Sequence, residues 1–120
     1  MPTMPDWNTL FPARPAAPPL RIALHAPTPA SLERAQSNLR NLLASQPDAE
    51  IWIVANAQAV RAAVQAPEAL GEQARARMLL CPNTLQNMGL APAPGMHVLP
   101  QGAVESLVLM QQQGWAYIRC

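Results

Sequence analysis

The chain contains no lysine, and its eight basic residues, all arginines, face seven acidic ones. Without lysine, Schiff-base catalysis and the phosphate-binding lysine of a Walker loop are excluded. Charged residues make up only 12% of the chain, against about a quarter in an average soluble domain. No basic cluster is present, so neither nucleic acid nor a membrane surface is an expected partner. Such a weakly charged surface is expected to be partly covered by other subunits.

Long apolar runs and a cysteine framework are also missing. No apolar run approaches the roughly 18 residues that a membrane-spanning helix needs, and the first residues lack the basic start and apolar centre of a signal peptide. Cys81 and Cys120 are the only cysteines, too few for a disulfide framework. With two widely spaced histidines they predict no metal site. We therefore expect a cytoplasmic protein without a bound cofactor.

Prolines divide the chain into an arm and a domain. The 120 residues suffice for a single hydrophobic core. Six of the 14 prolines fall within residues 1–19. Because proline fixes φ and removes a backbone donor, we predict that residues 1–19 form an extended arm that contains neither a helix nor a central strand. Residues 20–120 then form one domain.

Within this domain, segments typical of strands and helices alternate. Alternation of this kind predicts a parallel sheet covered on both faces, that is, a three-layer α/β/α sandwich with a mostly parallel five-stranded sheet. In the last helix, the spacing of Val104, Leu107 and Val108 predicts that these side chains face the core. Strands are predicted at residues 20–25, 51–55, 78–81, 96–99 and 115–118, and helices from 29 up to 47, around 60–64, and at 68–76, 82–88 and 102–113.

Cys81 has the setting most favourable to chemistry. It follows the apolar strand segment and precedes Pro82, which suits the first turn of a helix. A thiol at such a junction lies near unpaired backbone N–H groups and the positive end of the helix dipole, and both lower its pKa. The alternative is a small buried core thiol without chemistry.

Other polar residues are expected at the same edge of the sheet as Cys81. Parallel strands end at one edge, where α/β domains bind their ligands. That rule places His25, Asn56 and the Pro100-Gln101-Gly102 turn beside Cys81. His25 would either hydrogen-bond a thiolate or relay a proton, or serve the structure alone, and we favour the structural role.

Asn83 and Thr84 belong to the first turn of the helix that follows Cys81. They would either donate to a sulfur anion or cap the helix, and we favour capping. Cys120 would either form a disulfide with Cys81 or be a frayed terminal thiol, and we favour the latter. The alternation of Trp115 and Tyr117 with smaller residues predicts a role in the core or in a subunit interface.

Three segments together resemble the DsrE/DsrF-like (DsrE/F/H, YchN-like) family of sulfur-relay and intracellular sulfur oxidation proteins. That family typically carries a Cys-x-Asn-Thr-Leu segment, a Pro-x-Gly-Val turn that opens a helix, and a closing Gly-(Tyr/Trp)-Ala-Tyr-Ile. The likeness spans about residues 20–119. The matching segments are Cys81-Pro82-Asn83-Thr84-Leu85, Pro100-Gln101-Gly102-Ala103-Val104 and Gly114-Trp115-Ala116-Tyr117-Ile118-Arg119.

The resemblance implies a five-stranded α/β/α domain that assembles into homo-trimers or hexamers. It also implies that Cys81 carries a persulfide between a sulfur donor and an acceptor protein, in the manner of a sulfurtransferase. The chain departs from the family in three places. Asn56-Ala57 stands where relatives often have His-Gly, and Cys120 stands where relatives tend to have proline. The stretch between the second helix and the Cys81 strand is also short.

Two other functions stay open at this point. One is a non-catalytic, oligomeric binding or regulatory module that kept the fold while Cys81 became structural. The other is a thiol redox protein that uses Cys81 together with Cys120.

Overall fold

The computed structural model describes residues 6–10 and 18–120. Within these ranges, no helix combines the length and the apolar character needed to cross a bilayer. The elements in chain order are α1 (Trp7–Leu10), β1 (Arg21–Ala26), α2 (Pro29–Ser45), β2 (Glu50–Ala55), α3 (Gln58–Gln65), a 3-10 turn (Pro67–Ala69), α4 (Glu72–Ala76), β3 (Met78–Leu80), α5 (Pro82–Met88), β4 (His97–Val98), α6 (Ala103–Gln112) and β5 (Ala116–Arg119).

All five strands form one parallel sheet in the order β4-β3-β2-β1-β5. The predicted α/β fold with a mostly parallel five-stranded sheet is therefore confirmed. Because every strand runs in the same direction, the carboxyl ends of all five lie at one edge. At that edge His25 of β1 is in register with Val54 of β2 and with Arg119 of β5.

Successive strand residues pack on opposite faces of the sheet and create two apolar clusters, one on each face. The larger cluster lies under α2 and α3, and the smaller lies under α6, which gives the three layers. Members of the larger cluster include Leu24, Ile53, Met78 and Leu80 of the sheet with Leu32, Leu39 and Val60 of the helices. Members of the smaller cluster are Ala23, Val54, Cys81, Leu99, Ala103 and Leu107.

The start of α2 follows the sequence prediction. The Thr28 hydroxyl accepts the N–H of Ser31 at 3.0 Å, and Pro29 occupies the first turn, where its missing N–H is no loss. The predicted helix over 68–76 is instead broken into a 3-10 turn and α4. Gly71 between them is extended and donates its N–H to Gln36 Oε1 at 3.3 Å. Glycine is a poor helix former, so this tertiary hydrogen bond suffices to interrupt the helix.

The prediction of a wholly extended arm is wrong at α1. The N–H groups of Thr9 and Leu10 donate to the carbonyl of Asp6 at 3.1 and 3.2 Å and close a single helical turn. This turn lies in a stretch without proline, residues 6–11, which explains why it is permitted. Residues 1–5 and 11–17 of the predicted arm lie outside the described residues.

The inward face of α6 also differs from the prediction. Leu107 is buried as expected, but Val104 is 71% exposed and Val108 is 49% exposed. The buried positions are instead Ala103, Ser106 and Leu107, which share one side of the helix. Ala103 is turned inward because it packs against Cys81, and this contact rotates both valines toward the outside.

Candidate functional site

Cys81 lies between the last residue of β3 and the first residue of α5, as the sequence predicted. Its side chain is 5% exposed. Its backbone is extended (φ −67°, ψ 120°) and it is the N-cap residue of α5. The N–H of Cys81 donates to the carbonyl of Ala55 at 3.0 Å, and its carbonyl accepts the N–H of Leu85 at 3.1 Å. The thiol is thus held firmly between the sheet and the helix.

A second helix start meets the same sulfur atom. The N–H of Ala103, the first residue of α6, donates to Cys81 Sγ at 3.4 Å. A Cβ at the preceding Gly102 would lie 2.6 Å from Asn83 Nδ2, so the Asn83 side chain would have to move for any larger residue. Gly102 of the predicted Pro100-Gln101-Gly102 turn thus lies beside Cys81, as the sequence indicated. The contact from Ala103 could not be predicted, because the direction of a main-chain N–H is decided by the tertiary structure.

Opposing effects act on the pKa of the Cys81 thiol. Burial is the largest single effect and raises the pKa. Against it act the backbone N–H of Thr84, the N–H of Ala103, the Thr84 hydroxyl and the N–H of Asn83, each of which stabilises the thiolate. Together these four donors outweigh burial, and the pKa of Cys81 lies below its ordinary value.

Thr84 and Asn83 do not cap α5 as predicted. The N-cap is Cys81, so Asn83 and Thr84 stand at the second and third helical positions and offer backbone N–H groups. The Thr84 hydroxyl instead accepts the N–H of Ala57 at 3.2 Å and thereby joins α5 to the residue that precedes α3. Asn83 is exposed and its side chain lines the pocket next to Cys81.

Ala57 has a backbone conformation that favours glycine. Its φ is 51° and its ψ is −138°, and among the described residues it is the one non-glycine with positive φ. Holding a residue with a Cβ in such a conformation costs about 1–3 kcal/mol. The strained residue lies next to the Cys81 site, because its N–H donates to the hydroxyl of Thr84.

His25 lies at the predicted edge, but both of its ring nitrogens contact residues other than Cys81. Nδ1 is 2.7 Å from the hydroxyl of Tyr117, and Nε2 is 3.0 Å from Oδ1 of Asn56. The favoured structural role of His25 agrees with these contacts, and neither ring nitrogen hydrogen-bonds Cys81. Tyr117, which was assigned to the core or an interface, is 37% exposed and is a hydrogen-bond partner of His25.

An open pocket of about 400 Å³ brings part of the predicted site together. Cys81, Asn56 and Asn83 line it directly, whereas His25 stands behind Asn56. The remaining wall consists of Gly102, which the sequence predicted at this edge, and the first residues of α6, which it did not. Its lining residues are Asn56, Cys81, Asn83, Gly102, Ala103, Val104 and Glu105.

Cys120 is well anchored, so the prediction of a frayed terminal thiol is wrong. Its N–H donates to the carbonyl of His25 at 2.9 Å, and its own carbonyl accepts from Arg34 Nε at 3.0 Å. Its sulfur lies 3.5 Å from Asn38 Nδ2, a donor. Burial raises the pKa of the Cys120 thiol, and the bond from Asn38 and the charge of Arg34 only partly oppose this effect.

The two cysteines are too far apart to form a disulfide within one chain. Cys81 packs in the cluster under α6, whereas Cys120 packs against the cluster under α2 on the other face. Their strands, β3 and β5, are separated by β2 and β1. Three strand spacings of about 4.8 Å amount to about 14 Å, twice the Cα separation of about 7 Å that a disulfide tolerates. Cys120 is therefore not placed to resolve Cys81.

No protein-family model and no curated protein matches the chain. Membership of the DsrE/DsrF-like family therefore stays a prediction from the three sequence motifs. Each of the three motifs nevertheless supplies a residue to the contacts in or next to the Cys81 pocket. Cys81 comes from the first, Ala103 from the second, and Tyr117, through His25, from the third.

Proposed function

We propose that this protein is a thiol-based sulfur carrier, similar to a sulfurtransferase, in which Cys81 accepts and donates sulfur as a persulfide. The observation that carries the proposal is the convergence of two helix starts on one sulfur, with the Ala103 N–H 3.4 Å from Cys81 Sγ. Donors from both helices hold the pKa of Cys81 below its ordinary value. The thiolate, which is the nucleophilic form, is thereby favoured.

The transfer requires no oxidant or reductant beyond the two partner thiols. Cys81 thiolate attacks the outer sulfur of a donor persulfide, the donor's S–S bond breaks, and its electron pair leaves on the donor thiolate. The product is a Cys81 persulfide. In the second step an acceptor thiolate attacks the outer sulfur of that persulfide and releases Cys81 as thiolate. Each step exchanges one S–S bond for another, so oxidation state is conserved overall.

The persulfide needs room and hydrogen-bond donors, and the pocket supplies both. Its volume of about 400 Å³ exceeds the space that one added sulfur needs. The backbone N–H groups of Asn83 and Thr84 have no partner within α5 and donate toward the Cys81 sulfur, whereas Pro82 has no N–H. In this proposal Pro82 therefore sets the direction of the chain and the two following residues bind the anion.

The test is intact mass after incubation with polysulfide, using the wild type, Cys81→Ser and Cys120→Ser. A carrier gains about 32 Da, the mass of one sulfur, in the wild type and in Cys120→Ser, but not in Cys81→Ser. Reduction with a thiol should remove the added mass. Loading of Cys81→Ser to the level of the wild type would contradict the assignment of the site.

The alternative function is a non-catalytic binding or regulatory module with Cys81 as a structural thiol. The low exposure of Cys81, 5%, favours this alternative. It predicts no sulfur adduct on either cysteine under conditions in which a small thiol is loaded. The redox alternative predicts an internal disulfide, which the placement of Cys81 and Cys120 on opposite faces of the sheet opposes.

We also infer a homo-oligomer, a trimer or hexamer, that works in the cytoplasm with a separate sulfur donor and acceptor. The low content of charge and the outward apolar face of α6 support assembly. A reducing compartment suits a carrier whose Cys81 must stay free between transfers.

A further inference from the structure

Tyr117, His25 and Asn56 form a continuous hydrogen-bond chain that ends at the Cys81 pocket. Tyr117 Oη is 2.7 Å from His25 Nδ1, and His25 Nε2 is 3.0 Å from Asn56 Oδ1. Tyr117 and His25 lie 92 positions apart in the sequence. Asn56 belongs to the lining of the pocket, so one end of this series of hydrogen bonds lies at the pocket.

The donor and the acceptor of each hydrogen bond in this series follow from the chemistry of the paired atoms. Asn56 Oδ1 is only an acceptor, so His25 Nε2 must carry the proton and donate. In the neutral imidazole Nδ1 is then an acceptor, and it receives the Tyr117 hydroxyl. Since the Oδ1 of Asn56 is occupied by His25, the Nδ2 amide group is turned away from the imidazole. Among the residues that the structure describes, Asn56 Nδ2 donates no hydrogen bond, so the donor half of the amide is left for the pocket.

We propose that His25 and Tyr117 are positioning residues that orient the Asn56 amide, so that Asn56 Nδ2 donates to an anionic ligand beside Cys81. The ligand expected from the proposed function is the outer sulfur of a persulfide anion, and only that identity rests on the proposed function. With the opposite amide orientation, Asn56 would present its carbonyl oxygen to the pocket and repel an anion. His25 acts through Asn56, since its two ring nitrogens hydrogen-bond Tyr117 and Asn56 and not Cys81.

The experiment compares alkylation of Cys81 by iodoacetate, which is anionic, and by iodoacetamide, which is neutral, on a Cys120→Ser background. Both reagents react with the thiolate, so the ratio of their rate constants cancels any change in the pKa of Cys81. The ratio then measures how strongly the pocket favours an anion. We expect Asn56→Leu to lower this ratio at least about tenfold, the lower end of the effect of losing one hydrogen bond to a charged group.

Variants of the other two residues separate positioning from a merely structural role. His25→Phe keeps a ring without a donor and should lower the ratio at least about threefold, whereas His25→Gln keeps an N–H donor and should stay within about twofold of wild type. Tyr117→Phe should fall between these two. Ile118→Val, on the same strand and the other face of the sheet, should change nothing. An unchanged ratio in Asn56→Leu, or equal losses in His25→Gln and His25→Phe, would overturn the proposal.

A measurement on the unmodified side chains keeps the proposal testable even if a variant fails to fold. Nitrogen-15 NMR of the wild type should show His25 protonated at Nε2 and unprotonated at Nδ1 at a pH where the ring is neutral. A proton at Nδ1 instead would overturn the proposal. Failure of polysulfide loading, with the expected alkylation ratios, would remove the proposed sulfur function and leave the orientation of Asn56 established.

Discussion

The main-chain N–H of Ala103 donates to the sulfur of Cys81, although the two residues lie 22 positions apart. The contact joins the starts of α6 and α5 at one atom. It also accounts for two other features, the inward turn of Ala103 and the outward turn of Val104. The electrostatic environment of Cys81 thus depends on the position of α6 as well as on α5, the helix that Cys81 caps.

The first prediction concerns the acidity of Cys81. In Cys120→Ser, the rate of alkylation by iodoacetamide should rise with pH to a midpoint below that of a free cysteine peptide. The reason is that backbone and hydroxyl donors stabilise the thiolate more than burial destabilises it. A midpoint at or above that of a free cysteine peptide would remove the physical basis for a nucleophilic Cys81.

The same shift has a consequence for stability. Because the pKa of Cys81 is lower in the folded than in the unfolded chain, the folded state gains stability as pH rises between the two pKa values. This gain is complete above the unfolded pKa and is lost as pH falls through the folded pKa. Urea unfolding of Cys120→Ser should show this dependence, and the double variant with Cys81→Ser should lack it.

The Thr84 hydroxyl is expected both to stabilise the Cys81 thiolate and to accept the backbone N–H of Ala57. In Thr84→Val the Cys81 thiol loses a hydroxyl donor, so its pKa should rise. The Ala57 N–H loses its acceptor, and the free energy of unfolding should fall by about 1 kcal/mol. Thr84→Ser is the matched control, since it keeps the hydroxyl. Equal alkylation profiles for Thr84→Val and Thr84→Ser would argue against the role of the hydroxyl.

Replacing Ala57 by glycine should stabilise the protein. Ala57→Gly removes a Cβ from a residue with φ 51° and ψ −138°, and the relief of strain should exceed the added entropy of the unfolded chain. We expect a gain of about 1 kcal/mol in the free energy of unfolding, measured in urea. Ala62→Gly, in the middle of α3, is the control and should lose about 1 kcal/mol. Losses in both variants would show that Ala57 is not strained.

The outward face of α6 should hold the oligomer together. If copies of the chain pack there, Val108→Asp buries a charge in the interface, and light scattering should show dissociation toward monomers. Val108→Thr has a similar shape without charge and should largely keep the assembly. Circular dichroism should be unchanged in both, because Val108 is half exposed within one chain. A wild-type monomer at micromolar concentration would contradict the inferred assembly.

Local features of the sequence determined most of the fold. Pro29 and Pro82 mark helix starts by their missing N–H groups, and the apolar strand segments required burial on both faces of a parallel sheet. Parallel strands then placed Asn56 and Cys81 at one edge without further information. Each of these inferences depends on neighbours in the chain or on a rule of topology.

The tertiary structure alone decided which groups meet at that edge. The bond from Ala103 to Cys81 spans 22 positions, and the bond between Tyr117 and His25 spans 92. Such contacts depend on strand order and register, and on the rotation of each helix about its axis. The hydrophobic periodicity of the sequence predicts neither the strand order and register nor the rotation of a helix. The pairing of Tyr117 with His25 exists because β5 lies beside β1, and the separation of Cys120 from Cys81 exists because two strands stand between β5 and β3.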